Sequence, residues 1–376
     1  MEFLSGTWTY VVPFLFILTI LVFVHELGHY LVARRCGVRV ETFSIGFGPE
    51  LFGWTDRAGT RWKVSAVPLG GYVKMFGEND VDDELAGTPK MSASERAVSF
   101  HYKPLGARAA VVSAGPIANF VFAIVVLTGL FATAGEPFTP PVVGGVQPDS
   151  AAALGGIQPG DRFVSVAGHR VDRFEEIQMI VRENPDVPLP LVVERAGADV
   201  SLSVTPQSHE ETDRFGNVQH VGFLGVSGGS RQFVRHGIVK AAVRAVEETY
   251  SLSATTLSAV GQMISGTRTA DDLGGPLRIA QMSGEVAQIG FVSVVWFLAV
   301  LSINLGLVNL FPVPVLDGGH LLFYAAEAIR GKPLGPKAQE MGFRIGLALV
   351  VGLMVFATWN DLMHLKVFEF LKRLVT

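Results

Sequence analysis

The chain has 376 residues, 49% hydrophobic and only 17% charged, with a mean hydropathy of +0.39. A soluble domain carries about a quarter charged residues, so this composition reads as a membrane protein, and the formal net charge of −4 gives no reason to expect a nucleic-acid partner. A single cysteine, Cys36, excludes an intramolecular disulfide and is read as an ordinary small apolar residue.

Four segments are predicted to cross a bilayer, which takes roughly 20 mostly apolar residues. The first covers residues 7–30 and opens a stretch without charge from Phe3 to Val24. It has Glu2 where a signal peptide carries basic residues, and no small-residue cleavage site follows it. The second covers 109–132, the third 291–311 and the fourth, a short one, 345–360 between the anchors Arg344 and Trp359. Arg34, Arg35 and Arg39 follow the first span, and the loop from Leu31 to Lys103 carries ten Lys and Arg. The N-terminus is therefore expected outside and this loop in the cytoplasm, with residues 136–284 extracytoplasmic. Lys366, Lys372 and Arg373 fall on the outer side of this topology, against the rule.

The first span ends in "FVHELGHYLVARR", residues 23–35. On a helix His25 and His29 share one face, so two imidazoles can hold one zinc ion. Glu26 projects beside them and can take a proton from an attacking water. A chance match to this spacing occurs in about one chain of this length in a hundred. The membrane setting counts against chance, because an ionisable group at that depth is costly and functional by default.

The next segment, residues 40–77, contains "FSIGFGPELFGWTDRAGTRWKVSAVPLGGYVKMFG", strand-like runs broken by turns. Its bland reading is a cytoplasmic hairpin with a structural role. In the second span, "SAGPIANF" offers Gly115 and Ala118 for close helix approach and Asn119 for a polar contact to substrate or to a neighbouring helix.

Residues 142–229 read as a compact α+β region. "GGVQPDSAAALGGIQPGDRFVSVAGHRV" is followed by a helix, "RFEEIQMIVREN", and then by a hairpin, "PLPLVVERAGADVSLSVTP". The run from Ser150 through Gly160-Asp161 to Gly168 resembles a PDZ domain, which binds an extended peptide at a sheet edge. The alternative is a spacer domain, and the turn histidine His169 has no assigned role. Residues 237–284 are expected to be an amphipathic helical linker, lying on the membrane surface, packing under the PDZ-like domain or serving as a plain packing helix. Within it "LGGPLRIAQMSG" suggests a Gly-Pro turn into a short helix.

A zinc hydrolase needs a third protein ligand and an open position. The candidate lies far along the chain, in "NLGLVNLFPVPVLDGGHLLF". Pro312 and Pro314 end the third span, and Asp317 follows before Gly318-Gly319. Asp317 is the favoured ligand and His320 the alternative.

HELGH in a first span, paired with the Asn309-x-x-Pro-x-Pro-x-Leu-Asp-Gly-Gly run in a late one, resembles the site-2 protease family of zinc intramembrane metalloproteases. The enclosed PDZ-like region and "GHLLFYAAEAIRGKP" resemble its bacterial RseP-like branch, with room for one PDZ domain where some relatives carry two. The implied fold is a polytopic α-helical membrane protein with about four spans, a membrane-associated β segment beside the zinc, and one inserted extracytoplasmic PDZ-like domain. The resemblance implies one Zn2+ per chain on His25, His29 and Asp317, with Glu26 as the base. Asn309 would lie near the substrate or cap the broken helix. "SAGPIANF" and "LGGPLRIAQMSG" also match the family. The implied reaction is cleavage within the transmembrane helix of a single-pass substrate in the bacterial inner membrane, an anti-sigma factor or a remnant signal peptide. The β segment could clamp an unwound substrate, and the PDZ-like domain would screen its trimmed end. A metal transporter would spread ionisable groups along several spans, and a non-catalytic adaptor would not need an intact HExxH.

Overall fold

The computed structural model describes residues 2–77, 91–212, 218–230, 232–266 and 274–364. Lys366, Lys372 and Arg373 lie outside them. Two compact units result, one built on the chain up to Leu130, Lys240–Ser265 and the C-terminal part, the other on Phe131–Val239.

The first unit opens with α1 (Glu2–Arg35). Its end follows from local chemistry. Arg34 and Arg35 occupy the last turn, where cations suit the helix dipole. Gly37 takes a left-handed φ of 70°, its N–H donates to the Arg34 carbonyl, and Val38 donates to that of Ala33. Then come β1 (Val40–Thr55) and β2 (Arg61–Met75), paired antiparallel. This pairing is more than a hairpin. Residues 42–45 face 71–74 on one side and 61–64 on the other, so two long strands bend into a small curled sheet. Gly46 and Gly48, at φ 88° and 86°, supply the bend. Its anchored end is aromatic. Phe43 stacks on Trp62 at 4.3 Å, and Asp56 accepts from Tyr30 Oη at 3.1 Å and Trp62 Nε1 at 3.0 Å. Its other face leaves Phe47, Leu51, Phe52 and Leu69 exposed.

A short helix, α2 (Ala93–Val98), is started by a reciprocal cap between Ser92 and Glu95. It leads to α3 (Leu105–Thr133), the second apolar helix. Gly28 is where α1 and α3 touch: a methyl there would stand 2.7 Å from the Ala118 side chain. Ala33, Val40, Phe43, Val73 and Val111 bury together and join α1, the curled sheet and α3.

The second unit holds β3 (Glu136–Phe138), β4 (Val143–Val146), α4 (Ala151–Leu154), β5 (Arg162–Val166), β6 (His169–Arg170), α5 (Phe174–Arg182), β7 (Leu189–Arg195), β8 (Ala198–Val204), β9 (Gln207–Thr212), β10 (Val218–Phe223), β11 (Val226–Gly228) and β12 (Gln232–Val234). A four-stranded sheet runs β6-β5-β7-β8, with separate pairs β4-β11, β3-β12 and β9-β10. Alternation along β7 buries Leu189, Leu191 and Val193 against Phe163, Phe174, Ile177 and Val181. The β7–β8 turn is Ala196-Gly197 with φ of 52° and 81°, the mirror-image turn that suits a two-residue hairpin. The unit is wider than 142–229, because β3 and β12 pair outside those bounds. Glu136 fastens that pair, accepting from Arg173 and lying 2.9 Å from His236 Nε2.

The first unit resumes with α6 (Ile238–Ile264), α7 (Pro276–Ile289), α8 (Phe291–Leu310), α9 (Asp317–Arg330) and α10 (Pro336–His364). In the described part of residues 237–284 the helices pack on others of the unit, one of the alternatives the sequence left open. Thr256 of α6 donates to Asn304 of α8 at 3.1 Å, and Gly284 of α7 lies against Thr9 and Tyr10 of α1. The Gly-Pro start of α7 receives its cap from another helix: Asp361 accepts from the backbone N–H of Gly275 at 2.9 Å and of Arg278 at 3.0 Å. Among the described residues, four helices are long and apolar enough to cross a membrane: Trp8–Arg35, Leu105–Thr133, Phe291–Leu310 and Pro336–Met363. The fourth begins well before the expected 345–360. Gly342 and Gly346 let its first turns pack closely on Phe323 and Pro314, so helix forms ahead of the apolar run.

Candidate metal centre

Three helices build the site. α1 presents His25 and His29 one turn apart, with Nε2 atoms 3.2 Å from each other. α9 contributes Asp317 at its first position. Asp317 Oδ2 lies 3.1 Å from His25 Nε2 and 3.5 Å from His29 Nε2. These three ligand atoms all lie within 4.8 Å of one another.

α3 supplies the wall. Gly115 stands where a side chain would strike both imidazoles, with His25 Cε1 only 2.8 Å from a built methyl. The His29 Nδ1–H donates to the Val111 carbonyl at 2.9 Å, which leaves Nε2 turned to the cluster with its lone pair. Asn119, with 0% of its surface exposed, places Nδ2 3.1 Å from His25 Nδ1. Its amide is turned to a neighbouring helix and away from any surface. Of the two partners expected for Asn119, substrate or a neighbouring helix, the structure shows the helix contact.

Asp317 is aimed by an unusual turn. The two prolines end α8, and Val315 takes a φ of 108°, a costly conformation for a β-branched residue. Gly318 and Gly319 permit it, since side chains there would collide with the carbonyls of Leu310, Phe311 and Val313. α9 is held on α3 by Arg108, which donates to Glu327 at 2.5 Å and lies over the Tyr324 ring. His320 stays outside the cluster, its ring 5.3 Å from that of Phe343.

Glu26 lies on the sheet side of α1. Gly71 of β2 crosses there so closely that an added methyl would come within 2.8 Å of Val22 and 3.3 Å of the Glu26 stem. The curled sheet thus runs beside the histidines. Asn309 is half-buried near the end of α8, and its side chain forms no hydrogen bond among the described residues.

The cluster fits a divalent metal on the chemistry of its donors. Asp317 Oδ2 is buried and accepts no well-aligned hydrogen bond among the described residues. Such an oxygen is costly unless a cation faces it. Two imidazole nitrogens and one carboxylate oxygen are the donor set of a zinc site that keeps one position open.

The family model for peptidase family M50 matches residues 13–353. The chain is 49% identical over 369 residues to "Putative zinc metalloprotease Atu1380" of Agrobacterium fabrum, covering 96% of this chain and 97% of the relative. It is 38% identical over 391 aligned positions to metalloprotease MmpA of Caulobacter vibrioides, covering 97% and 98%. Among solved structures, the PDZ domain of an SdrC-like protein from Listeria monocytogenes matches 24% of this chain and 88% of its own, at 13% identity and a TM-score of 0.19. The chain belongs to peptidase family M50, the site-2 proteases. It is a zinc metalloprotease, with Zn2+ as its cofactor.

Proposed function

We propose that the protein is an intramembrane endopeptidase that cuts a single-pass substrate within its transmembrane helix. The observation that carries this reading is the place of the cluster. His25, His29 and Asp317 converge among apolar helices and not at a surface loop. His25, His29 and Asp317 would hold one zinc ion, which supplies Lewis acidity toward the scissile carbonyl and water. Glu26 takes the proton of the attacking water and delivers it to the leaving amine. β2, passing beside Glu26, offers a strand edge to an unwound substrate, whose peptide bonds are shielded while it stays helical. Asn309 meets the substrate near the broken end of α8.

The protein sits in the inner membrane of a bacterium, with the N-terminus and the PDZ-like unit outside and the metal near the cytoplasmic side. Anti-sigma factors already trimmed outside, or remnant signal peptides, are the substrate class. The PDZ-like unit holds a cleft of about 570 Å3 between α5 and β10–β11, lined by Ile177, Val181, Phe223 and Val226 among others. Among the described strands β11 pairs only with β4, so its other edge supports capture of a trimmed peptide end by strand addition.

The test pairs a metal assay with a cleavage assay. Wild type and Glu26→Gln are purified in detergent, their zinc is measured, and each is given a membrane-anchored substrate lacking its outer domain. Equal zinc, with cutting inside the span by wild type alone, supports the reading. A wild type without zinc overturns the ligand set, and an active glutamine variant overturns the base.

A further inference from the structure

We infer that Asn119 is a positioning residue for zinc: with its side-chain oxygen turned to His25, it holds that imidazole as the Nδ1–H tautomer and keeps Nε2 free to ligate. This rests on the zinc reading of the cluster.

A neutral imidazole has one N–H and one lone pair, and the partner of one nitrogen decides the state of the other. His29 is settled by backbone, because the Val111 carbonyl can only accept. His25 is not. Its Nδ1 faces a side-chain amide at 3.1 Å, and an amide can present either nitrogen or oxygen with nearly the same shape. With Nδ2 toward the ring, Nδ1 must accept. Nε2 then carries the hydrogen and has no lone pair for a metal, although Asp317 Oδ2 is only 3.1 Å away. In that arrangement Asn119 Oδ1 is buried without a hydrogen-bond partner among the described residues. With Oδ1 toward the ring, Nδ1–H donates and the Nε2 lone pair joins the other two ligand atoms. Only this second arrangement is compatible with zinc at His25.

The surroundings leave Asn119 little else to do. It has no exposed surface, and its backbone carbonyl accepts from Ser302 Oγ of α8 at 2.9 Å. Rotation of the amide is the remaining freedom, and zinc selects one orientation. The same contact draws α8, α3 and α1 together at a ligand.

Zinc affinity of the full chain in detergent, measured by competition with a chelator, is compared for wild type, Asn119→Leu and Asn119→Asp. Asn119→Leu keeps the bulk and removes the acceptor, so zinc binding weakens about 10- to 100-fold, the usual effect of losing an outer partner of a ligand histidine. Asn119→Asp keeps an acceptor and recovers most of the affinity. In zinc-loaded wild type with 15N-labelled histidine, His25 shows a protonated Nδ1 and a metal-shifted Nε2. The inference is overturned if His25 carries its proton on Nε2, if Asn119→Leu binds zinc like wild type, or if both variants lose affinity equally. Should Asn119→Leu fail to fold, the wild-type spectrum and the aspartate variant decide. A wild type that binds no zinc overturns the parent reading instead.

Discussion

His25 Nε2 and Asp317 Oδ2 stand 3.1 Å apart, one on the first apolar helix and the other opening the helix that follows the third. The distance makes a covalently remote carboxylate part of the same site as HELGH. Replacing it tests the site directly. Asp317→Ala leaves two imidazoles and no negative ligand, so the loss of zinc affinity exceeds the roughly 10- to 100-fold typical of an outer-shell change. Zinc content after dialysis against a weak chelator measures it, and a variant that keeps full zinc would remove Asp317 from the ligand set.

His320 gives the matching control. It lies one turn from Asp317 along α9, yet its ring faces Phe343. His320→Ala is expected to keep zinc affinity within about twofold of wild type, since neither a ligand nor an outer partner of one is removed. A large loss would return His320 to the ligand set in place of Asp317.

Gly115 marks how tightly the imidazoles sit on α3. A methyl at this position would meet both rings. Gly115→Ala should therefore cost about 1–3 kcal/mol, as overpacking does. Part of that cost should fall on zinc, because the rings must shift to relieve it. Thermal unfolding with and without zinc separates the effects: the increment from zinc shrinks if the rings move, and stays whole if only helix packing suffers.

Much of this site was legible in sequence because its parts obey local rules. HELGH works through helical spacing alone, and the two prolines followed by Asp317 mark a broken span wherever they occur. The four apolar helices follow from hydropathy. What stayed hidden depends on partners distant in sequence. Nothing beside Asn119 says that its amide meets His25, and nothing beside Gly275 says that Asp361 caps α7. The double pairing of residues 42–45 was hidden for a related reason. Alternation predicts strands, but only the Gly46 and Gly48 bend decides that the pair folds back on itself. The polar residues of α6 left a surface position and simple packing both open, and the Thr256 hydroxyl, which donates to Asn304 of an apolar helix, marks packing.

Arg108 and Glu327 are both largely covered and meet at 2.5 Å, tying α3 to α9 and thereby Asp317 to the wall behind the histidines. Breaking such a pair from one side strands the other charge and costs about 3–5 kcal/mol, whereas replacing both with apolar groups is often neutral. Glu327→Leu alone should lower the unfolding midpoint sharply, and Arg108→Met with Glu327→Leu should restore much of it. If the double variant is as unstable as the single, the pair contributes more than the avoidance of a lone charge.

In the PDZ-like unit Arg195 grips Asp161 with two bonds of 2.7 Å, and the Gln158 backbone N–H adds a third at 2.8 Å. The Arg195 side chain holds the Asp161 carboxyl below its ordinary value of 3.8, burial opposes this, and the backbone bond assists. A carboxylate whose folded value is depressed adds stability that is fully present above its unfolded value. That stability is lost as pH falls through the folded value. Between pH 5 and 8, in order-of-magnitude terms, the contribution should be flat, and it should drain away only at about pH 4 and below. Hydrogen exchange of the β5 and β7 amides in the full chain measures it. Asp161→Asn should flatten that acid slope while lowering protection at neutral pH. An unchanged slope would mean that another group governs acid unfolding of the unit.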